Sequence, residues 1–232
     1  MNLLLISNST QFGGGYLEHC RDALVTLFGP APRRLLFVPF ALADHDAYAA
    51  KASAAFVAMG YVCRSLHEFR DPTAALADAD GIFVGGGNTF RLLDQLQRRG
   101  LVDPLRARVR DGMPYAGASA GTNVACPTIR TTNDMPIVMP ASFTALALVP
   151  FQINPHYLDP DPGSRHMGET REQRIREFHE ENHAAVLGLR EGGMLRIEGG
   201  SATLLGPHAM RLFRRGENPR EIAPGTSLSF LL

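Results

Sequence analysis

The sequence predicts a doubly wound α/β fold with a mostly parallel sheet, and three observations carry that expectation. Short apolar runs alternate with helical stretches through the first half of the chain. The runs are continuously apolar, which is the pattern of strands covered on both faces. Two glycine-rich segments, at Gly85–Gly87 and Gly117–Gly121, each follow such a run and precede a helix, where open α/β sheets place their sites.

Taken in order, Leu3 to Ser7 reads as a buried strand and Tyr16 to Phe28 as a helix ended by Gly29-Pro30. Arg34 to Phe40 is a second strand, and Ala47 to Met59 a second helix closed by Gly60. Tyr61 to Leu66 gives a third strand, Gly81 to Val84 a fourth, and Phe90 to Arg99 a helix ended by Gly100. Met113 to Ala116 is the fifth strand. After about residue 125 the rhythm changes: prolines from Pro127 to Pro162 punctuate a long stretch with short strands and no helix, the pattern of a functional loop or of disorder. A helix follows from Arg171 to about Asn182. The remainder (Ala185 to Leu189, Met194 to Ile197, Ala202 to Leu205, Met210 to Phe213, Ser227 to Leu231) reads as extra C-terminal strands joined by glycine-containing turns. With no repeat, low-complexity tract or linker, residues 1–232 are expected to form one domain.

Composition narrows the function. The chain has 232 residues, 45% of them hydrophobic, and 23 basic residues balance 23 acidic ones. A neutral chain lacks the basic field that sequence-independent nucleic-acid binding requires. No apolar run approaches the ~18 residues of a membrane span. The start, Met1-Asn2-Leu3-Leu4-Leu5-Ile6, has no basic n-region and meets Ser7-Asn8-Ser9, so no signal peptide is expected. Cys20, Cys63 and Cys126 form an odd set without metal-binding spacing, which argues against a disulfide scaffold or zinc site and fits a reducing cytoplasm. All but one of the basic residues (Lys51) are arginines.

Chemistry is expected at the two glycine-rich turns. Val84-Gly85-Gly86-Gly87-Asn88-Thr89-Phe90 has Phe90 where a dinucleotide fingerprint needs its third glycine, and it lacks the Lys-Ser/Thr of a phosphate loop. Its glycines allow backbone N–H groups to face a ligand or an oxyanion, or serve only a tight turn. Tyr115-Ala116-Gly117-Ala118-Ser119-Ala120-Gly121 contains G-x-S-x-G between a strand and a helix. It is either a nucleophile elbow presenting Ser119, with Ala120 N–H as oxyanion donor, or a close-packed junction with a capping serine. A serine nucleophile needs a base and an orienting carboxylate. His156 sits at a strand end after Phe151-Gln152-Ile153, with His166 in reserve. His179 and His183 are an i,i+4 pair that reads as a solvated helix face, so no metal is expected. Asp134, in Arg130-Thr131-Thr132-Asn133-Asp134-Met135-Pro136 ahead of an apolar strand at Ile137-Val138, is the candidate acid. The order Ser119, Asp134, His156 within so short a span differs from an α/β-hydrolase, whose histidine usually comes from near the chain end.

These segments, with Leu4 to Thr10, Ala125 to Pro136, Gln152 to His156 and Gly168 to Ile175, resemble the peptidase E family of α-aspartyl dipeptidases at collinear spacing over nearly the whole chain. The resemblance implies a flavodoxin-like fold related to class I glutamine amidotransferases, with serine in place of their cysteine. It also implies hydrolysis of small peptides, Asp-Xaa dipeptides, through an acyl-enzyme without metal or cofactor. By motif, Ser119 resembles the nucleophile, His156 the base and Asp134 the acid, with Gly87 and Ala120 donating to the oxyanion. Cyanophycinases share the ancestry and use a glutamate as third member, and Asp134 in T-N-D-M-P favours the dipeptidase branch. A cyanophycinase-like or α/β-hydrolase-type acyl hydrolase is the alternative enzyme, and a binding protein on the same fold the non-enzymatic one.

Selecting aspartate requires a cation. Thr170-x-x-Gln173 spells a capping box, which sets Arg171 in the first helical turn, against the helix dipole. Arg171 is therefore the first choice for the carboxylate receptor and Arg130 the second. Glu169 is the candidate for the substrate's amino group, and Asn88 a further substrate-binding candidate. A cytoplasmic monomer or small homo-oligomer is expected.

Overall fold

A computed structural model describes all 232 residues except Pro162, Ser164 and His166; the reserve base His166 therefore lies outside the described residues. Five strands run parallel: β1 (Asn2–Ile6), β2 (Arg34–Val38), β3 (Val62–Ser65), β4 (Gly81–Val84) and β5 (Tyr115–Ala118). Two antiparallel strands, β8 (Met194–Glu198) and β9 (Ser201–Leu205), extend them to the order β3-β2-β4-β5-β1-β8-β9. Alternate residues of β1 feed two cores. Leu3 and Leu5 pack with α4 (Thr89–Arg98), α5 (Val102–Arg110) and α6 (Ala120–Ala125), while Leu4 and Ile6 pack with α1 (Arg21–Phe28) and α2 (His45–Val57). Burial on both faces is why these strands read as unbroken apolar runs.

The C-terminal strands divide between two sheets, which the sequence reading did not separate. β6 (Gln152–Pro155) pairs in parallel with β7 (Val186–Leu189), and β10 (Met210–Phe213) and β11 (Arg220–Ile222) complete a second sheet of order β11-β10-β7-β6. α7 (Arg171–Glu181) begins on the expected capping box, with both reciprocal hydrogen bonds made.

Several expectations need correction. The first helix starts later than Tyr16, because Leu17 takes a left-handed conformation (φ 60°) ahead of a 3-10 turn at Glu18–Cys20. α3 (Pro72–Ala77) and α5 are additional to the expected elements: each starts on or just ahead of a proline, α3 is only six residues long, and α5 carries its apolar stripe on just Val102, Leu105 and Val109. No strand forms at Ile137-Val138; Pro136 and Pro140 interrupt pairing there, and Met135, Ile137 and Met139 lie exposed. Ser227 to Leu231 is not a strand either. Ser227 makes a single bridge to Thr203 and Leu228 N–H donates to Ala202 O, but Ser229 Oγ then accepts from Ala202 N–H and the chain enters a 3-10 turn at Ser229–Leu231, so the pairing stops there.

The tightest approach in the fold joins β4, β5 and α6. A methyl group on Gly121 would lie 2.1 Å from Val84 O, and one on Gly117 would lie 2.5 Å from Gly121 O. Tyr115 Oη–H donates to Gly121 O at 2.6 Å and locks the contact. Gly121→Ala is therefore expected to cost about 3 kcal/mol, since backbone cannot yield as a side chain does. Denaturant unfolding of the variant against the wild type measures it.

Candidate active site

Ser119 stands between β5 and α6 with φ 52° and ψ −107°, a strained conformation for a residue with a side chain. Its hydroxyl makes no capping bond to the helix, so the capping reading fails. Instead Ser119 Oγ lies 2.9 Å from His156 Nε2. His156 also has a positive φ, 53°, as the chain leaves β6. Its Nδ1 lies 2.7 Å from a carboxylate oxygen, and that oxygen belongs to Glu191. An ionised carboxylate only accepts, so Nδ1 carries the proton and Nε2 is left to accept from the serine hydroxyl.

Asp134 does not make the contact expected of it. Its Oδ2 accepts from Thr89 N–H at 2.7 Å and Thr89 Oγ1–H at 2.6 Å, with Thr132 Oγ1 at 3.1 Å. A carboxylate so held satisfies the N-terminus of α4, where free amide groups and the helix dipole favour negative charge. Asn88 is the N-cap of the same helix: its Oδ1 accepts from Arg91 N–H and its Nδ2 donates to Met135 O at 2.8 Å. Both polar ends of Asn88 are thus committed to structure.

Glu191 escaped the sequence reading because it lies in the turn Arg190-Glu191-Gly192-Gly193 between β7 and β8, far along the chain from the serine. The signal is positional. β6 and β7 pair in parallel with Pro155 opposite Leu189, so His156 and Glu191 leave neighbouring strands at the same end. Ser7, fully buried after β1, ties both strands: its Oγ accepts from His156 N–H at 2.9 Å and donates to Leu189 O at 2.8 Å.

The glycine-rich loop after β4 closes the other side of the serine. A methyl group on Gly86 would sit 3.2 Å from Ser119 Cβ, so that backbone touches the nucleophile. Gly87 has φ +133°, and a methyl group there would lie 2.7 Å from Ala41 O. Among the described residues, neither Gly87 N–H nor Ala120 N–H donates a hydrogen bond, which leaves both amides available beside Ser119. All three cysteine thiols are buried, which pushes each up to about 12. None is a thiolate nucleophile.

A cavity of about 550 Å³ is lined by Asn133, Leu158, Asp159, Glu169, Arg171 and Arg174, among others, and its lining does not include Ser119, His156 or Glu191. Asn133 Nδ2 donates to Pro155 O at 2.7 Å, which joins the cavity wall to the base of His156. Among the described residues no carboxylate lies in ion-pair contact with Arg171. Burial and the neighbouring Arg174 hold its guanidinium below its usual range, with Asp134 acting the other way. Glu169 is paired with Arg174 at 3.4 Å, and Arg130 lies over the Phe143 ring at 5.3 Å. No group of three His, Cys, Asp or Glu among the described residues is arranged to hold a metal. His179 Nε2–H donates to Ala184 O, and His183 accepts from Arg215. Among the described residues no helix is long and apolar enough to cross a membrane.

Comparison with known proteins identifies the family. The profile of peptidase family S51 matches residues 3–205. Peptidase E of Streptomyces coelicolor is 63% identical over 232 residues, covering 100% of this chain and 95% of that protein. A Drosophila melanogaster protein described as a "probable alpha-aspartyl dipeptidase" is 52% identical, covering 100% of this chain and 97% of that one. The crystal structure of a peptidase from an acI-B1 actinobacterium superposes with a TM-score of 0.74 at 17% identity, over 99% of this chain and 96% of that one, and supports the fold. This chain belongs to peptidase family S51 and is a serine-type dipeptidase of mixed α/β fold.

Proposed function

We propose that this protein hydrolyses dipeptides bearing an N-terminal aspartate, with Ser119 as nucleophile, His156 as general base and Glu191 as orienting acid. The observation that carries the reading is the chain of contacts from Ser119 Oγ to His156 Nε2 at 2.9 Å and from His156 Nδ1 to Glu191 at 2.7 Å. His156 accepts the serine proton as Oγ bonds to the scissile carbonyl carbon, and the tetrahedral oxyanion takes hydrogen bonds from Gly87 and Ala120 N–H. The imidazolium, stabilised by Glu191, then protonates the leaving amine as the C–N bond breaks. Water attacks the acyl-enzyme by the same route and releases the aspartate.

Arg171 supplies the selectivity in this reading. It is a half-buried cation, unpaired among the described residues, on the wall of a cavity that shares Asn133 with the contact to Pro155, the residue before His156. A charge-assisted pair in such a place can select one acidic side chain. Arg130 is braced on Phe143 and Glu169 is neutralised by Arg174, which makes both weaker candidates for direct substrate contact.

Three measurements test the assignment. Ser119→Ala should lower kcat for Asp-Leu by about 10⁴-fold or more while the unfolding midpoint stays near the wild type's, and turnover at the wild-type rate would remove Ser119 from the chemistry. Glu191→Gln should lower kcat by about 10²–10⁴-fold, because the amide can present an acceptor or a donor to His156 but no charge. Arg171→Met should cut the preference for Asp-Leu over Ala-Leu by about 10–100-fold, the worth of one charged hydrogen-bonded pair. A dipeptide panel on that variant shows whether the margin survives.

A further inference from the structure

Glu191 is half exposed at the apex of its turn, and a carboxylate there has many rotamers and little packing to choose among them. Its approach to His156 is set by the turn itself. Gly193 N–H donates to Arg190 O at 3.0 Å, and Gly192 has φ +78°, which identifies a type II turn with glycine at its third position. The peptide joining Glu191 to Gly192 distinguishes that turn from type I, and its orientation fixes the direction in which the Glu191 side chain departs.

That peptide is held from outside. Asn8, 2% exposed after β1, places its Oδ1 at 2.8 Å from Gly192 N–H, a buried bond. The same Oδ1 accepts from Gln11 Nε2–H at 3.1 Å, and Asn8 Nδ2 donates to Thr10 O at 2.8 Å. Two donors converge on one atom, so that atom is the amide oxygen and the side chain has one rotational choice. The adjacent Ser7 holds His156 N–H and Leu189 O. Two consecutive residues therefore grip both partners of the Nδ1–carboxylate bond. Ser7 fixes the backbone of the histidine, and Asn8 the turn of the glutamate.

We infer that Asn8 is a positioning residue for hydrolysis: through Gly192 N–H it holds the turn that presents Glu191 to His156. The inference rests on the Ser119–His156–Glu191 reading but not on selectivity for aspartate. The side chain of Asn8 bonds Gly192, Thr10 and Gln11 and neither Ser119 nor His156, so its effect is expected to pass through the Glu191 turn.

A double-mutant cycle separates this from general scaffolding. Wild type, Asn8→Ala, Glu191→Ala and the double variant are compared for kcat and KM on Asp-Leu. Asn8→Ala is expected to lower kcat about tenfold or more with KM within about twofold, as a misplaced catalytic group does. In the Glu191→Ala background the same change is expected to alter kcat by less than about twofold, since the group it positions is gone. Wild-type kcat in Asn8→Ala, or independent losses that multiply in the double variant, would overturn the inference. Failure of the underlying triad reading is a different result, in which Glu191→Ala itself keeps wild-type kcat. Should Asn8→Ala not fold, Gln11→Ala removes the donor that steadies Oδ1. It is expected to lower kcat about two- to fivefold in the wild type and not in Glu191→Ala; a loss in both backgrounds, or in neither, overturns the inference.

Discussion

The hydrogen bond between Ser119 and His156 spans two sheets, and the site exists only while those sheets keep their distance. The serine rides on β5 of the seven-stranded sheet; the histidine and its carboxylate leave β6 and β7 of the four-stranded one. β6 is the edge strand of that second sheet, so one side of its backbone lacks a ladder partner. Side chains supply the missing bonds. Asn123 of α6 and Thr131 both donate to Ile153 O at 2.9 Å, and Asn133 donates to Pro155 O. Asn154 returns the contact through Nδ2 to Thr131 O and Asn133 Oδ1. A buried edge is thus satisfied by one polar side chain of α6, the helix that begins after Ser119, and by two from the loop at Thr131–Asn133. The bonds that dock the second sheet are the bonds that aim the base.

The polar run from Thr131 to Asp134 works in two directions from one loop. Thr131 and Asn133 hold β6, while Thr132 and Asp134 hold the start of α4. Gly87 directly precedes that start, and Asn88 N–H is bonded back to Ala41 O. Loss of Asp134 would release the first turn of α4, and in the proposed mechanism its effect on catalysis would arrive through the loop that carries Gly87, not through His156. A carboxylate near an active site, in the right chain order, need not be the one that orients the base. Hydrogen-bond partners decide, and those of Asp134 are already a backbone amide and two hydroxyls.

Much of this was legible in the sequence, and the failures share a cause. Local patterns reported themselves: continuous apolar strands, the capping box before Arg171, and the small residues around Ser119 that let α6 meet β4 at backbone distance. The strand end before His156 was equally visible. What could not be read was pairing between distant segments. Glu191 becomes the carboxylate partner only because β6 and β7 align in parallel with Pro155 beside Leu189. That register is a long-range property, specified by burial on both strands and not by any residue near Glu191. The same gap explains the apolar residues at Ile137 and Met139, whose pattern suggested a strand although no neighbour is there to pair with them.

Charge follows the same logic of placement over total. The chain is neutral by count, with 23 basic and 23 acidic residues, and one connected set of its ion pairs reaches the cavity wall. Arg190 makes paired contacts to Asp159 and Glu221, and Arg211 reaches Glu172, Asp159 and Glu221. These contacts fasten both the segment that enters the cavity wall, at Asp159, and the first turn of α7, at Glu172. Arg171 sits one residue before Glu172, and among the described residues it alone of the cavity's arginines has no carboxylate in contact. A cation in the first turn of a helix is opposed by the dipole, and a half-buried one is opposed by desolvation as well. The network thus braces the residues on either side of an unanswered guanidinium, and in the function proposed above an incoming substrate carboxylate would answer it.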